Sequence, residues 1–324
     1  MTPIALVVVM TGTILHSLLL SESQASGLPV IPVPVSAAQT RAVNVADDTA
    51  ATACHDPNQV SADADATPVT TLNDDVPAGI TWTVLASSVA DQLPDAPARL
   101  LLTRVLLDRD AGSEAVRAAG AVLYYVENGS VVIYVDGDPF IVSAKSAVFV
   151  PMHATYAIVN TGDDQASLLR LAVAPPGTND QTVASVVTPE PLLRTPPASR
   201  PIAQVLVRGR VSPLPAPPAR LFIACLNFPS GNATPLIHRH PGPIGLLVER
   251  GGLEVDGFRN LPESGCALLQ STTAHALRPP QDGASVMVFG IAADGRQFWS
   301  AADASDVPAS APPLAAEDLT CGSP

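Results

Sequence analysis

Three histidines are the residues of this chain best suited to chemistry. His238 and His240 stand two apart in the segment LIHRH, and His275 follows in TTAHAL. Side chains on an extended strand alternate between faces, so positions i and i+2 project to the same side, as two ligands of one metal must. Three neutral imidazoles suit zinc, iron, copper or nickel, whereas magnesium and calcium favour oxygen donors. Such a centre leaves coordination positions open for water or substrate. There a bound metal would act as a Lewis acid, lower the pKa of water or activate oxygen. The rival reading is that the same histidines line a binding pocket without a metal.

The elements that must hold them are short and strand-like. Pro241, Gly242 and Pro243 spell a turn. An apolar run over residues 244–248, the pair Gly251-Gly252 and a second strand over residues 253–255 have the pattern of a hairpin. Another strand-like segment, residues 266–269, precedes His275. Upstream, LLLTRVLL, AVLYYVENGSVVIYVDGDPFIV and SAVFVP are rich in Val, Leu, Ile and Tyr, with Asn128-Gly129 and Asp136-Gly137 predicted as type I′ hairpin turns. Tyr124 and Tyr125 must then point to opposite faces. No sustained i, i+3, i+4 apolar pattern occurs outside the first residues, and 33 prolines argue against long helices.

The same order of elements occurs twice. Pro97-Ala98-Arg99-Leu100 matches Pro218-Ala219-Arg220-Leu221, and Gly129 matches Gly251 after one inserted residue. On this alignment Val116 and Ala118 stand where the second copy has His238 and His240. Tyr156 stands where it has His275.

Over roughly residues 221–294 the order H-x-H, apolar strand, Gly turn, strand and later a lone His resembles the two metal-binding motifs of the cupin superfamily. The pair of copies resembles a bicupin whose first barrel is degenerate. The resemblance implies an all-β fold of two tandem cupin-type β-barrels (double-stranded β-helix or jelly roll). It implies one divalent transition metal (Zn, Fe, Cu or Ni) on His238, His240 and His275, and a first barrel that keeps Pro151 and Asn160 but no metal ligand. There are departures. Cupins place a carboxylate four or five positions after the second His, where this chain has Ile244 and Gly245. Glu249 lies on the opposite strand parity. The Pro and Gly usual before the third His are replaced by Gln270 and Thr272. His153 takes a usual Gly place and reads as a loop or core histidine.

The resemblance implies small-molecule chemistry of the dioxygenase, isomerase or decarboxylase kind. The alternative is a non-catalytic small-molecule binding or structural protein, since a scaffold does not specify a reaction. No catalytic residue can be assigned. The chain has no G-x-S-x-G nucleophile motif and no Gly-rich phosphate loop. Trp82 and Trp299 read as packing residues, and Cys54-His55-Asp56 lacks further ligands nearby.

With 324 residues, 47% of them hydrophobic, the chain can bury a sizeable core in one or two domains. A net charge of −13 disfavours nucleic acid and anionic membrane surfaces as partners. A small-molecule ligand or substrate is the expected partner, and a homo-oligomer is compatible with the reading. The apolar run over residues 4–20, with small residues at Ser23 and Ala25, reads as an export signal over 1–25, its rival being an uncleaved membrane anchor. The expected product is secreted or extracytoplasmic. Residues 26–79 read as a low-complexity linker or poorly ordered arm. Then follow a first barrel over 80–175, a Pro-rich bridge over 176–201, a second barrel over 202–298 and a tail over 299–324. Cys225 and Cys266 are expected as buried small hydrophobes. Cys54 and Cys321, one in each flanking segment, are expected to pair with each other in an exported protein.

Overall fold

A computed structural model describes residues 54, 79–178, 199–231, 235–256, 259–270, 274–307 and 319–322. The expected leader, most of the arm and most of the Pro-rich bridge lie outside the described residues. The first half contains strands β1 (Thr81–Ala90), β2 (Ala98–Leu107), β3 (Val116–Arg117), β4 (Ala121–Asn128), β5 (Ser130–Val135), β6 (Asp138–Ser143), β7 (Ala147–Val150), β8 (Thr155–Asn160) and β9 (Ala166–Ala174). The second half contains β10 (Ile202–Val211), β11 (Ala219–Phe228), β12 (Leu236–Arg239), β13 (Ile244–Arg250), β14 (Leu253–Val255), β15 (Arg259–Leu261), β16 (Cys266–Leu269), β17 (His275–Arg278), β18 (Ala284–Ala293), β19 (Ser300–Ala301) and β20 (Thr320–Cys321). A single 3-10 turn, Ala304–Asp306, is the helical element among the described residues.

The strands form four antiparallel sheets in two pairs. In the first barrel the order β2-β9-β4-β7 faces β3-β8-β5-β6, and in the second β11-β18-β13-β16 faces β12-β17-β14-β15. The protein is all-β and has the architecture of two cupin-type jelly-roll barrels. Three apolar cores follow. One fills the first barrel, with Ile133, Val126 and Leu168. A second fills the other barrel, with Phe222, Leu246 and Val288. A third lies between the two large sheets and joins Leu100, Leu123 and Leu171 to Leu221, Leu247 and Phe289. Because both faces of these sheets are covered, a central strand such as β18 is buried at nine of its ten positions.

Each half opens with a strand that completes the other half's large sheet. β1 pairs with β11 from Thr81↔Asn227 to Ala90↔Ala219. Reciprocally, β10 pairs with β2 from Ile202↔Leu106 to Val211↔Ala98. Strands β1 and β10, expected within the barrels over 80–175 and 202–298, thus each lie along the large sheet of the other half. Alternation along a strand says which face is buried but not which edge receives its hydrogen bonds.

Two expected hairpins are corners instead. Asp136 (φ 50°) and Gly137 (φ 97°) are both left-handed and join β5 to β6, as a type I′ turn requires. At Asn128-Gly129 only the glycine is left-handed (φ 82°), and the chain passes there from the large sheet of β4 to the small sheet of β5. Gly251 (φ 79°) makes the same passage between β13 and β14. A Cβ at these corners would meet the backbone of Ala166 and Gly283 respectively.

The segment expected as a tail is built into both barrels. β19 pairs with β12 and β20 with β10. The cysteines also pair otherwise than expected: the disulfides are Cys54–Cys225 and Cys266–Cys321. Cys225 and Cys266 are buried as expected. Their side chains face the core between the large sheets, where the flanking cysteines reach them.

Candidate metal centre

The burial pattern of β12 turns Leu236 and His238 inward and Ile237 and Arg239 outward. His240 lies one residue past the strand on the same inward parity. His275 opens β17 and is the direct cross-strand partner of His238. The structure thus brings together all three histidines singled out in the sequence. They are 3%, 3% and 2% exposed, and one potential ligand atom from each lies within 4.8 Å of the others. Among the described residues this is the one such group of His, Cys, Asp and Glu side chains.

Backbone carbonyls orient two of the rings. His240 Nδ1 lies 2.6 Å from the carbonyl oxygen of Phe298, and His238 Nδ1 lies 3.2 Å from that of Leu236. A carbonyl only accepts, so both Nδ1 atoms carry the proton and both Nε2 atoms are left with a lone pair. His238 Nε2 stands 3.1 Å from His275 Nε2, a separation that calls for a shared proton or a shared cation. His240 Nε2 is buried and has no hydrogen-bond partner. An orphaned buried acceptor is costly, and a carbonyl holding the remote nitrogen is how proteins orient metal-ligating imidazoles. The residues therefore fit a divalent transition metal. Burial, reinforced by the neighbouring rings of His275 and His240, holds the pKa of His238 well below its ordinary value. Burial and His275 push His240 down to about 3. Both rings are accordingly neutral bases at physiological pH.

Aromatic rings close the centre. Trp299 meets His238 edge-on at 5.4 Å and stacks on Trp82 at 6.4 Å. Phe298 stacks on Phe222 at 4.1 Å. Trp82 arrives on the exchanged strand β1, so the first half supplies part of this wall. The segment carrying Phe298 and Trp299 is fastened along the free edge of β12. His238 pairs with Ala301, the Ala302 N–H donates to Ile237 O at 3.2 Å, and Arg239 pairs with Asp306 at 2.6 Å. Both tryptophans are packing residues, as expected, yet their contact with the centre carried no local signal in the sequence. The orienting carbonyl of Phe298 carried none either, since backbone acceptors have no residue signature.

No carboxylate joins the group among the described residues. Ile244 faces the core of the second barrel, and Gly245 faces the seam between barrels, where the ring of Phe289 covers it. Glu249 accepts the Cys54 N–H at 3.2 Å at that seam. His153 is exposed, with φ 70° in a loop, a conformation that explains the glycine expected there. In the first barrel β3 and β8 pair Val116 with Tyr156, the register in which β12 and β17 pair His238 with His275.

Fold and site together define a two-barrel β protein with a buried three-histidine centre. No protein-family model and no curated protein sequence matches the chain. Among solved structures it is similar to a cupin 2 conserved barrel domain protein from Leptotrichia buccalis, at 17% identity over 67% of this chain and 90% of that one, with TM-score 0.33. It is also similar to oxalate decarboxylase from Bacillus subtilis (12% identity, 68% and 78%, TM-score 0.40). Salicylate 1,2-dioxygenase from Pseudaminobacter salicylatoxidans is a third (14% identity, 59% and 70%, TM-score 0.34).

Proposed function

We propose that the chain is an exported two-barrel protein that holds one divalent transition metal on His238, His240 and His275 and acts on a small molecule there, as a dioxygenase, isomerase or decarboxylase would. The observation that carries this reading is the convergence of the imidazoles, with two Nδ1 atoms tied to carbonyls and the buried Nε2 of His240 left without a partner. When bound, the metal would supply Lewis acidity at its open positions. The chain's own groups set the rest. Phe298 O and Leu236 O hold the tautomers, and Trp299, backed by Trp82, helps keep bulk water from the buried centre. Export is supported by the apolar leader and by two disulfides, which persist in oxidising compartments.

A second reading is favoured by one observation: the centre is closed by aromatic rings and, among the described residues, has no carboxylate that could serve as acid or base. On that reading the protein binds a small molecule, or uses the site structurally, without turnover.

Elemental analysis of purified protein tests the site. One metal per chain is expected, with none in the double variant His238→Ala/His240→Ala, whose β-rich spectrum should persist, and no change in His153→Ala. Two metals per chain would show that the first barrel also binds metal. None under saturating zinc, iron, copper or nickel would leave only the binding reading. Turnover of phenolic, thiol, dicarboxylate and sugar panels by the metal-loaded chain separates enzyme from binder. N-terminal sequencing of the exported chain, expected to begin near Ser26, tests the leader.

A further inference from the structure

The first barrel has a row of polar side chains that the second barrel lacks. Across its large sheet, register sets Thr103 of β2, Arg170 of β9 and Tyr124 of β4 abreast. The corresponding row in the second barrel, Ala224, Val288 and Leu246, is wholly apolar. Parity places the polar row inside. Leu101 and Val105 flank Thr103, Leu168 and Ala172 flank Arg170, and all four belong to the core of the first barrel. Tyr156 enters from the facing sheet, its ring 6.1 Å from that of Tyr124. It stands at the register position that His275 holds in the other barrel.

The Arg170 guanidinium lies beside the phenols of Tyr124 and Tyr156. Two phenols do not exhaust its five donors. Among the described residues no carboxylate pairs with it. Thr103, 3% exposed, has a buried hydroxyl without a hydrogen-bond partner. A cation inside an apolar barrel with no counter-charge is costly, and so is an orphaned hydroxyl beside it. An anionic oxygen lodged between them would relieve both. Thr103, Tyr124 and Tyr156 are buried, while Arg170 keeps part of its surface accessible.

We propose that the first barrel is a binding site for a small monocarboxylate, with Arg170 as its charge partner, the hydroxyls of Thr103, Tyr124 and Tyr156 as further hydrogen-bond partners, and the aliphatic core around them receiving an apolar body. One guanidinium balances one carboxylate. A phosphate dianion would bring in a second negative charge, and among the described residues no second cation lines the row to meet it. The site needs no metal and stands apart from the histidine centre, so it goes beyond the function proposed above.

Calorimetric titration of the full chain tests the proposal, with benzoate, neutral benzamide and inorganic phosphate as probes. Wild type and His238→Ala/His240→Ala should both bind one benzoate per chain, at least about tenfold more tightly than benzamide. Arg170→Met should remove that preference. Thr103→Val, which is nearly isosteric and should melt close to wild type, should weaken benzoate about fivefold, the worth of one hydrogen bond. If Arg170→Met does not fold, Thr103→Val decides. Absence of saturable benzoate binding at millimolar concentration would overturn the proposal. So would binding unaltered in Thr103→Val, a preference for phosphate, or binding lost with the two histidines and kept in Arg170→Met.

Discussion

The carbonyl oxygen of Phe298 lies 2.6 Å from Nδ1 of His240, and this backbone contact decides which nitrogen of the ring faces the other two imidazoles. With the proton fixed on Nδ1, Nε2 can only accept, and the protein offers it nothing to accept from. A metal centre therefore depends on residues 298–306, a segment that lies beyond the last long strand.

Removing the indole at Trp299 should loosen that segment and remove the ring that meets His238, while leaving all three candidate ligands in place. Trp299→Ala is expected to cost about 3–5 kcal/mol of stability, as large-to-small changes in a packed core do, and to speed removal of bound metal by a chelator. Stopped-flow chelation on the loaded chain reads this directly. Unchanged release in a variant that still folds would show that Trp299 does not shield the centre.

Glu249 should give the protein an unusual dependence on pH. Burial at the seam raises its carboxyl to about 7, Glu127 adds to the shift, and the Cys54 N–H and Arg104 oppose it. In the unfolded chain the same group titrates near 4.3. Between those values the folded state holds a proton that the unfolded state has released, so stability falls as pH rises through the window. The loss from this one group is at most about 4 kcal/mol. Glu249→Gln should flatten that part of the profile and be the more stable protein at pH 8. A Glu249→Gln profile with the wild-type slope between pH 5 and 7 would refute this.

Peptide mapping without reductant should recover Cys54 with Cys225 and Cys266 with Cys321. The bridges close separations of 171 and 55 residues. On the chain-entropy account the longer loop is worth about 1 kcal/mol more. Denaturant melts of Cys54→Ser/Cys225→Ser and Cys266→Ser/Cys321→Ser should rank in that order. A Cys54–Cys321 peptide would contradict both bridges.

Gly242 follows His240 by two residues, and a Cβ there would collide with the carbonyl of Ile291. Gly120 meets the carbonyl of Val173 in the same way in the first barrel. Alanine at either position should cost about 1–3 kcal/mol, the usual penalty of overpacking. Only Gly242→Ala should also weaken metal uptake, because relieving its clash displaces the turn that carries His240. Equal metal affinity in the two variants would break the link between turn and centre.

What the sequence determined by itself was local or periodic. Alternation placed His238 and His240 on one face, apolar runs marked β13, β14 and β16, and Asp136-Gly137 marked a true hairpin. Arg170 lies in SLLRLAVA, a run apolar on both parities, so only the packing of the sheets decided that it faces the core of the first barrel. Tertiary structure alone decided the exchange of β1 and β10, the disulfide partners, the corners at Gly129 and Gly251, and the closure of the centre by Phe298 and Trp299. A strand's own residues specify its faces, since side chains alternate along it, but its edges present the same N–H and C=O groups whatever the sequence. Which edge meets which is set by how whole sheets pack, so contacts such as Phe298 with His240 arise only once both barrels are assembled.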